Sequence, residues 1–140
     1  MFQLVKNLYG GAEVAPPLDN LSFEADADLK AGTVVKMKDG DKVEAVADDD
    51  GLAIGVAVND ADAGEDVRIL YIVPGMIFRA PIEGDVENNM EVGFTQAELA
   101  ESGTKVKGEG GNADGPLTVL SIDGDEEYAW VAFNECALAK

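Results

Sequence analysis

From residue 29 onward the apolar positions of this chain come in short runs, each bounded by Gly, Pro or Asp. Residues 33–38 (TVVKMK) and 42–47 (KVEAVA) are rich in strand formers and flank Asp39-Gly40-Asp41. An Asp-Gly pair between two such runs predicts a hairpin, because the turn needs backbone with positive φ. Residues 52–58 (LAIGVAV) predict a third strand, with Gly55 at a bulge or a close backbone approach. Residues 67–73 and 76–80 follow, split by Pro74-Gly75, and read as a central pair of strands buried on both faces. Residues 117–122 and 128–134 form the last pair, around Asp123-Gly124. Strands at this spacing predict a mainly β fold, a compact sandwich-like or barrel-like domain over residues 29–140.

One short helix is expected to interrupt the strands. Thr95-Gln96-Ala97-Glu98 has the form of a capping box, in which Thr95 takes the Glu98 amide and Glu98 reaches back. Leu99, Ala100 and Glu101 continue it, and Gly103 supplies a left-handed stop. So short a helix is stable only when packed on the sheet. The last hairpin is apolar on both faces, since Leu117 and Val119 alternate with Leu120 and Ile122, and Tyr128 and Trp130 with Val131 and Phe133. That implies a second layer: the helix, another sheet or a neighbouring subunit.

Residues 1–28 read differently, as an extended N-terminal arm. Gly10-Gly11 and Pro16-Pro17 break regular structure. A frayed terminus does not need Phe2, Leu4, Val5, Leu8 and Tyr9, whereas an arm that adds a strand to a partner's sheet edge does. Removing residues 1–20 is then expected to leave the domain folded.

Charge narrows the partners. With 28 acids against 10 bases, the chain carries −18 at neutral pH. Residues 1–70 hold 15 acids and 6 bases, and residues 71–140 hold 13 and 4, so each half carries −9. The acidity belongs to the whole surface, as in a protein made in many mutually repelling copies or one adapted to salt. Nucleic acid is not an expected partner, because phosphate binding needs clustered Lys and Arg. Anionic membrane surfaces are disfavoured on the same ground, and no apolar run is long enough for a membrane-spanning helix. Two stretches lack acids altogether: residues 1–12, with Lys6, and residues 67–82, with Arg68 and Arg79.

No constellation of catalytic residues emerges. The chain has no histidine, so histidine-based acid–base, triad and zinc chemistry is ruled out. Asp48-Asp49-Asp50-Gly51 is the densest carboxylate run, but it lacks the spacing of a calcium loop and reads as a solvated turn. Asp60, Asp62, Glu65 and Asp66 form a second acidic loop between two strands, again a solvated connection. Lys36 lies inside a strand, not at the tip of a hairpin where a carrier domain holds its modified lysine. Glycines 108, 110 and 111 lack the lysine and hydroxyl residue of a phosphate loop. The lone cysteine, Cys136, and the serines Ser22, Ser102 and Ser121 have no base to activate them. We expect no catalytic residue, no bound cofactor and no metal.

The order of features supports a resemblance. Leu29-Lys30-Ala31-Gly32-Thr33-Val34-Val35 leads through the Asp39-Gly40 turn to Val43-Glu44-Ala45-Val46. Then come Ala53-Ile54-Gly55-Val56-Ala57, residues 67–73 and Pro74-Gly75-Met76-Ile77-Phe78. Over roughly residues 29–134 this resembles the head decoration (capsid-stabilising) proteins of tailed bacteriophages, the lambda-type class. The resemblance implies a β-tulip type of fold, a homotrimer on the outer surface of the expanded capsid, and the major capsid protein as partner. It also implies a capsid-binding arm, carried here by Phe2, Leu4, Val5, Lys6, Leu8 and Tyr9. A fibre-associated or host-surface-binding phage β-domain is the alternative.

Overall fold

A computed structural model describes residues 1–9, 12–13, 22–46, 52–73, 75–84, 96–108, 115–123 and 127–137, with backbone alone at 6–9, 12–13 and 96. The described residues are β strands and turns, and no helix is found among them. The strands are Gln3–Tyr9 (β1), Ala12–Glu13 (β2), Ser22–Ala25 (β3), Val34–Met37 (β4), Lys42–Ala45 (β5), Gly55–Ala57 (β6) and Asp66–Tyr71 (β7). Met76–Glu83 (β8), Gln96–Ala97 (β9), Leu99–Ala100 (β10), Lys105–Lys107 (β11), Leu117–Ile122 (β12) and Tyr128–Phe133 (β13) follow.

Strands β3 to β7 close into a small barrel in the order β3-β5-β4-β6-β7. The remaining strands form one sheet along the path β10-β11-β8-β13-β12-β9, with β1 on β8 and β2 on β1. The chain therefore starts in the sheet, builds the barrel, and returns to the sheet after residue 73. Where the barrel meets the sheet its strands are buried on both faces, and alternation sorts their side chains into two cores. Val35, Val43, Ile54, Ala57, Val67 and Ile69 fill the barrel. Their neighbours Val34, Val46, Val56, Leu70 and Ile72 point the other way and pack with Phe78, Val119 and Val131 of the sheet. Period-two alternation thus fastens the barrel to the sheet through one shared apolar layer.

Gly55 lies where β6 meets β7. A Cβ there would collide with the Ile69 side chain and the Leu70 carbonyl, so the close approach expected at this glycine is real. The β4–β5 hairpin is closed by the Lys38 N–H donating to the Lys42 carbonyl at 3.0 Å and the Lys42 N–H to the Asp39 carbonyl at 2.9 Å. Of the turn residues only Gly40 has a positive φ, 56°.

Strand β8 organises the sheet. One edge pairs with β13, and the other is shared: β1 takes residues 76–79 and β11 takes 82–83. Pro81 falls in the gap between those two partners. The Ile82 N–H donates to Glu127 at 2.9 Å on the β13 side. The residue before it would direct its N–H to the opposite edge, and there proline has none to leave unpaired.

Three expectations are corrected. The helix expected from Thr95 to Gly103 is not formed by the described residues 96–103: Gln96–Ala97 pairs with β12, and Leu99–Ala100 makes a hairpin with β11. Gly103 does adopt the left-handed conformation (φ 78°), but in that hairpin's turn, beside Glu101 and Ser102 at φ 46° and 52°. Burial of Ala97, Leu99 and Ala100 against the core outweighs the local capping signal. Residues 67–73 and 76–80 are not a strand pair, since β7 lies in the barrel and β8 in the sheet, with the change of layer between them. The segment set apart as an arm contributes strands: β1 pairs with β8, and β3 pairs with β5 and β7 to close the barrel.

Candidate interaction surface

The first acid-free stretch of the sequence meets part of the second in space. β1, which carries no acid, is hydrogen-bonded to residues 76–79 of β8, whose one acid is its last residue, Glu83. Next to them lie β13 and β12, which also carry no acid. Alternate residues of these strands enter the core: Val119, Val131, Phe78 and Leu4 stand in register across the inner face.

The other face carries a second set of rows. Ser121, Trp130, Arg79 and Gln3 are register partners across four strands. Thr118, Ala132 and Ile77 form the adjoining row, and Tyr128 with Pro81 the row beyond. Trp130, Tyr128, Arg79, Ile77 and Pro81 are half-buried, while Gln3 and Ser121 are exposed. Leu120 is the extra residue of a bulge between Val119 and Ser121, which leaves this leucine 37% exposed.

Arg79 is the centre of this face. Its guanidinium stacks on the Tyr128 ring at 3.7 Å and pairs with the Asp123 carboxylate at 3.1 Å. A stacked, planar guanidinium whose charge is already met presents a flat, neutral surface. Asp123 is held nearby by its own N–H, which donates to the Tyr128 carbonyl at 3.0 Å.

The residues expected to bind a capsid divide. Phe2 is 2% exposed, its ring packed against Phe78 and Phe133 at centroid distances of 6.4 and 6.0 Å. Its N–H donates to the Gly32 carbonyl at 2.8 Å, tying the start of β1 to the barrel. Leu4 packs on the same core. Val5 is the bulged residue of β1 and is half-buried. Lys6, Leu8 and Tyr9 continue the strand, where Lys6 stands opposite Ile77 and Leu8 opposite Glu13. An open, mostly apolar recess of about 240 Å³ lies between Phe2, Leu4, Gly32, Val56 and Val58.

The acidic loops serve structure. Asp60 accepts the Ala31 N–H at 2.7 Å, Asp28 the Ala63 N–H at 2.9 Å, and Glu65 the Asp62 N–H at 2.8 Å. Lys38 donates to Asp26 at 2.7 Å, and that bond, with the charge of Asp26, pushes the lysine pKa up. Asp48, Asp49 and Asp50 lie outside the described residues. Among the described residues no group of three or more His, Cys, Asp or Glu is placed to hold a metal ion. Lys36 faces Glu44 at 3.8 Å within the barrel wall. Cys136 is buried, its thiol directed at the Ile72 carbonyl at 3.5 Å.

A barrel fastened to such a sheet has a known counterpart. The fold is similar to that of a phage head fiber base. The crystal structure of the head fiber gp8.5 N base of bacteriophage phi29 superposes with a TM-score of 0.59 at 14% identity, covering 81% of this chain and 92% of that one. No family model matches the sequence, and no curated protein matches it. The likeness to the phi29 head fiber base therefore lies in the fold.

What sequence reasoning missed here is the outer face of the sheet. Its signal is the two-sided apolar pattern of residues 117–122 and 128–133, which implies a covering layer on each side.

Proposed function

We propose that this chain is a structural protein of a phage head, a non-enzymatic component seated on the outer surface of the capsid. The observation that carries the reading is the fold shared with the phi29 head fiber base over most of both chains. In this reading the protein binds the major capsid protein, assembles as a homotrimer and stabilises the shell as a decoration protein. It needs no cofactor, no metal, no nucleic acid and no membrane. Many copies on one shell add weak contacts into stable attachment, and each copy favours the shell form it binds.

Attachment involves the acid-free N-terminal strand. Phe2 and Leu4 are committed to the chain's own core, so contact with the shell falls to Val5, Lys6, Leu8 and Tyr9. A lysine in an acid-free segment of a −18 chain offers the one sign of charge that an acidic shell surface accepts.

A second reading, the base of a fibre or a host-surface-binding domain, is favoured by the same likeness, because that neighbour is a head fiber. Cosedimentation with expanded capsid shells of the phage that encodes it tests the first reading. The full chain is expected to pellet with shells, and Lys6→Glu with Tyr9→Asp to stay in the supernatant while keeping its circular dichroism. Failure of the full chain to bind shells, with binding to host cells instead, would establish the second reading.

A further inference from the structure

We propose that the outer face of the large sheet, centred on Trp130, Arg79 and Ile77, is where one copy of this chain seats against another. The inference rests on the homotrimer of the preceding reading and names its contact face.

The argument is one of charge. Each copy carries −18, so two copies repel wherever carboxylates oppose carboxylates. Acids surround the barrel at Glu24, Asp26, Asp28, Asp39, Asp60 and Asp66. The rows Ser121-Trp130-Arg79-Gln3 and Thr118-Ala132-Ile77 contain none. Among the described residues the acids nearest these rows lie at the strand ends: Asp123, paired with Arg79 at 3.1 Å, Glu127 before Tyr128, and Glu83 at the end of β8. A basic partner would gain more on the acidic barrel than on this plate. The plate suits a surface that is itself acidic at its margins and neutral at its centre, and a second copy is such a surface.

The side chains suit an interface too. Trp, Tyr and Arg are the residues that dominate contact energy, and apolar surface beside them excludes water. Here Trp130, Tyr128 and Arg79 are joined by Ile77, Pro81 and the bulged Leu120. The face is also rigid, being built on paired strands whose opposite side is the core, so little ordering entropy is lost on docking. Three copies with this face turned toward a common axis form a closed ring, each plate touching two neighbours.

Light scattering after size exclusion tests the assignment. The wild-type chain is expected to run as three protomers of 14.7 kDa, and Trp130→Glu and Ile77→Glu as one. Trp130→Phe keeps the trimer, as does Met37→Glu on the barrel, where Met37 is already 37% exposed. Association should tighten several-fold as salt rises from about 0.01 M to about 0.15 M, because the screening length falls from about 30 to about 8 Å. Trp130 is the only tryptophan, so its emission should shift to the blue as mass rises, a readout that needs no variant.

A wild-type chain that stays a single protomer at every concentration and salt overturns the proposal. So does a folded Trp130→Glu with wild-type mass, or emission unchanged while mass rises. A variant with wild-type mass that no longer binds shells assigns the face to the capsid protein instead. A monomeric Trp130→Glu that still binds shells leaves the head reading intact, and a wild-type trimer that binds no shell overturns that reading alone.

Discussion

The Phe2 ring packs against Phe133 at a centroid distance of 6.0 Å, joining the second residue of the chain to the last long strand of the sheet. Phe78 completes the cluster, edge-on to Phe133 at 5.7 Å. The first strand is thus a part of the core as well as an edge of the sheet. Full burial of a phenylalanine contributes roughly 1.5–3 kcal/mol, and each favourable ring pair about 0.5–1.5 kcal/mol more.

Phe2→Ala should therefore destabilise the fold by about 3–5 kcal/mol, the cost of removing a buried aromatic ring. Denaturant unfolding followed by circular dichroism measures it. Deletion of residues 1–20 is expected to destabilise at least as much, in contrast to what a detached arm would allow. A truncated chain with the wild-type midpoint would show that the Phe2 contacts carry no stability.

The difference between those two expectations shows what the sequence makes legible. Strands β4 to β8, β12 and β13 announce themselves locally, through apolar runs bounded by Asp39-Gly40, Pro74-Gly75 and Asp123-Gly124. β1 and β3 do not, because their partners β8 and β7 lie far along the chain and the residues between include Gly and Pro. A paired edge strand and a free arm have the same composition; only the position of Phe78 and Phe133 in space distinguishes them. The two-residue strands β9 and β10 are too short to express a period, so the capping pattern of Thr95 to Glu98 was the strongest local signal available there. The outer face of the sheet was half legible. Alternation marks Tyr128 and Trp130 as facing away from Val131 and Phe133, but the row with Arg79 and Gln3 exists only in the register.

Gly55→Val should cost more than an ordinary strand substitution. Any Cβ at this site meets the Ile69 side chain and the Leu70 carbonyl, and the latter is backbone that cannot rotate away. Overpacking of this kind costs about 1–3 kcal/mol. Thermal unfolding is the measurement, with Gly40→Asn as the comparison: nothing lies within 4 Å of a Cβ at Gly40, and asparagine tolerates its φ of 56°. Equal effects at the two sites would refute the close-approach account.

The Arg79–Tyr128 stack should show a measurable coupling. A double-mutant cycle of Arg79→Met and Tyr128→Leu is expected to give about 0.5–1 kcal/mol, the range for a partly exposed cation–π pair. The Asp123 ion pair, with both side chains about a third exposed, should add no more than about 1 kcal/mol and fade with salt. Zero coupling at low salt would mean that the stack follows from strand register alone.

Lys38 gives the fold a pH dependence at the alkaline end. Its pKa is raised above the usual 10.5 by the hydrogen bond to Asp26 and by that carboxylate's charge. The unfolded chain therefore loses this proton at a lower pH than the folded one. The stabilisation is fully present below the unfolded value and is lost as pH rises through the folded one. Lys38→Met should remove that component of the alkaline slope and leave the slope near neutrality unchanged, as read from unfolding midpoints across pH.

Cys136 should behave as a reporter of opening. Its thiol is 1% exposed and donates to the Ile72 carbonyl at 3.5 Å, between barrel and sheet. A thiol reagent reaches it only when the shared apolar layer separates, because the sulfur is buried within that layer. Labelling should be slow in the native protein and quicken in Phe2→Ala and Gly55→Val in proportion to their loss of stability. Rapid labelling of the wild type, at the rate of an unfolded peptide, would show that the barrel and the sheet part readily and that the layer of Val34, Leu70 and Ile72 does not hold them together.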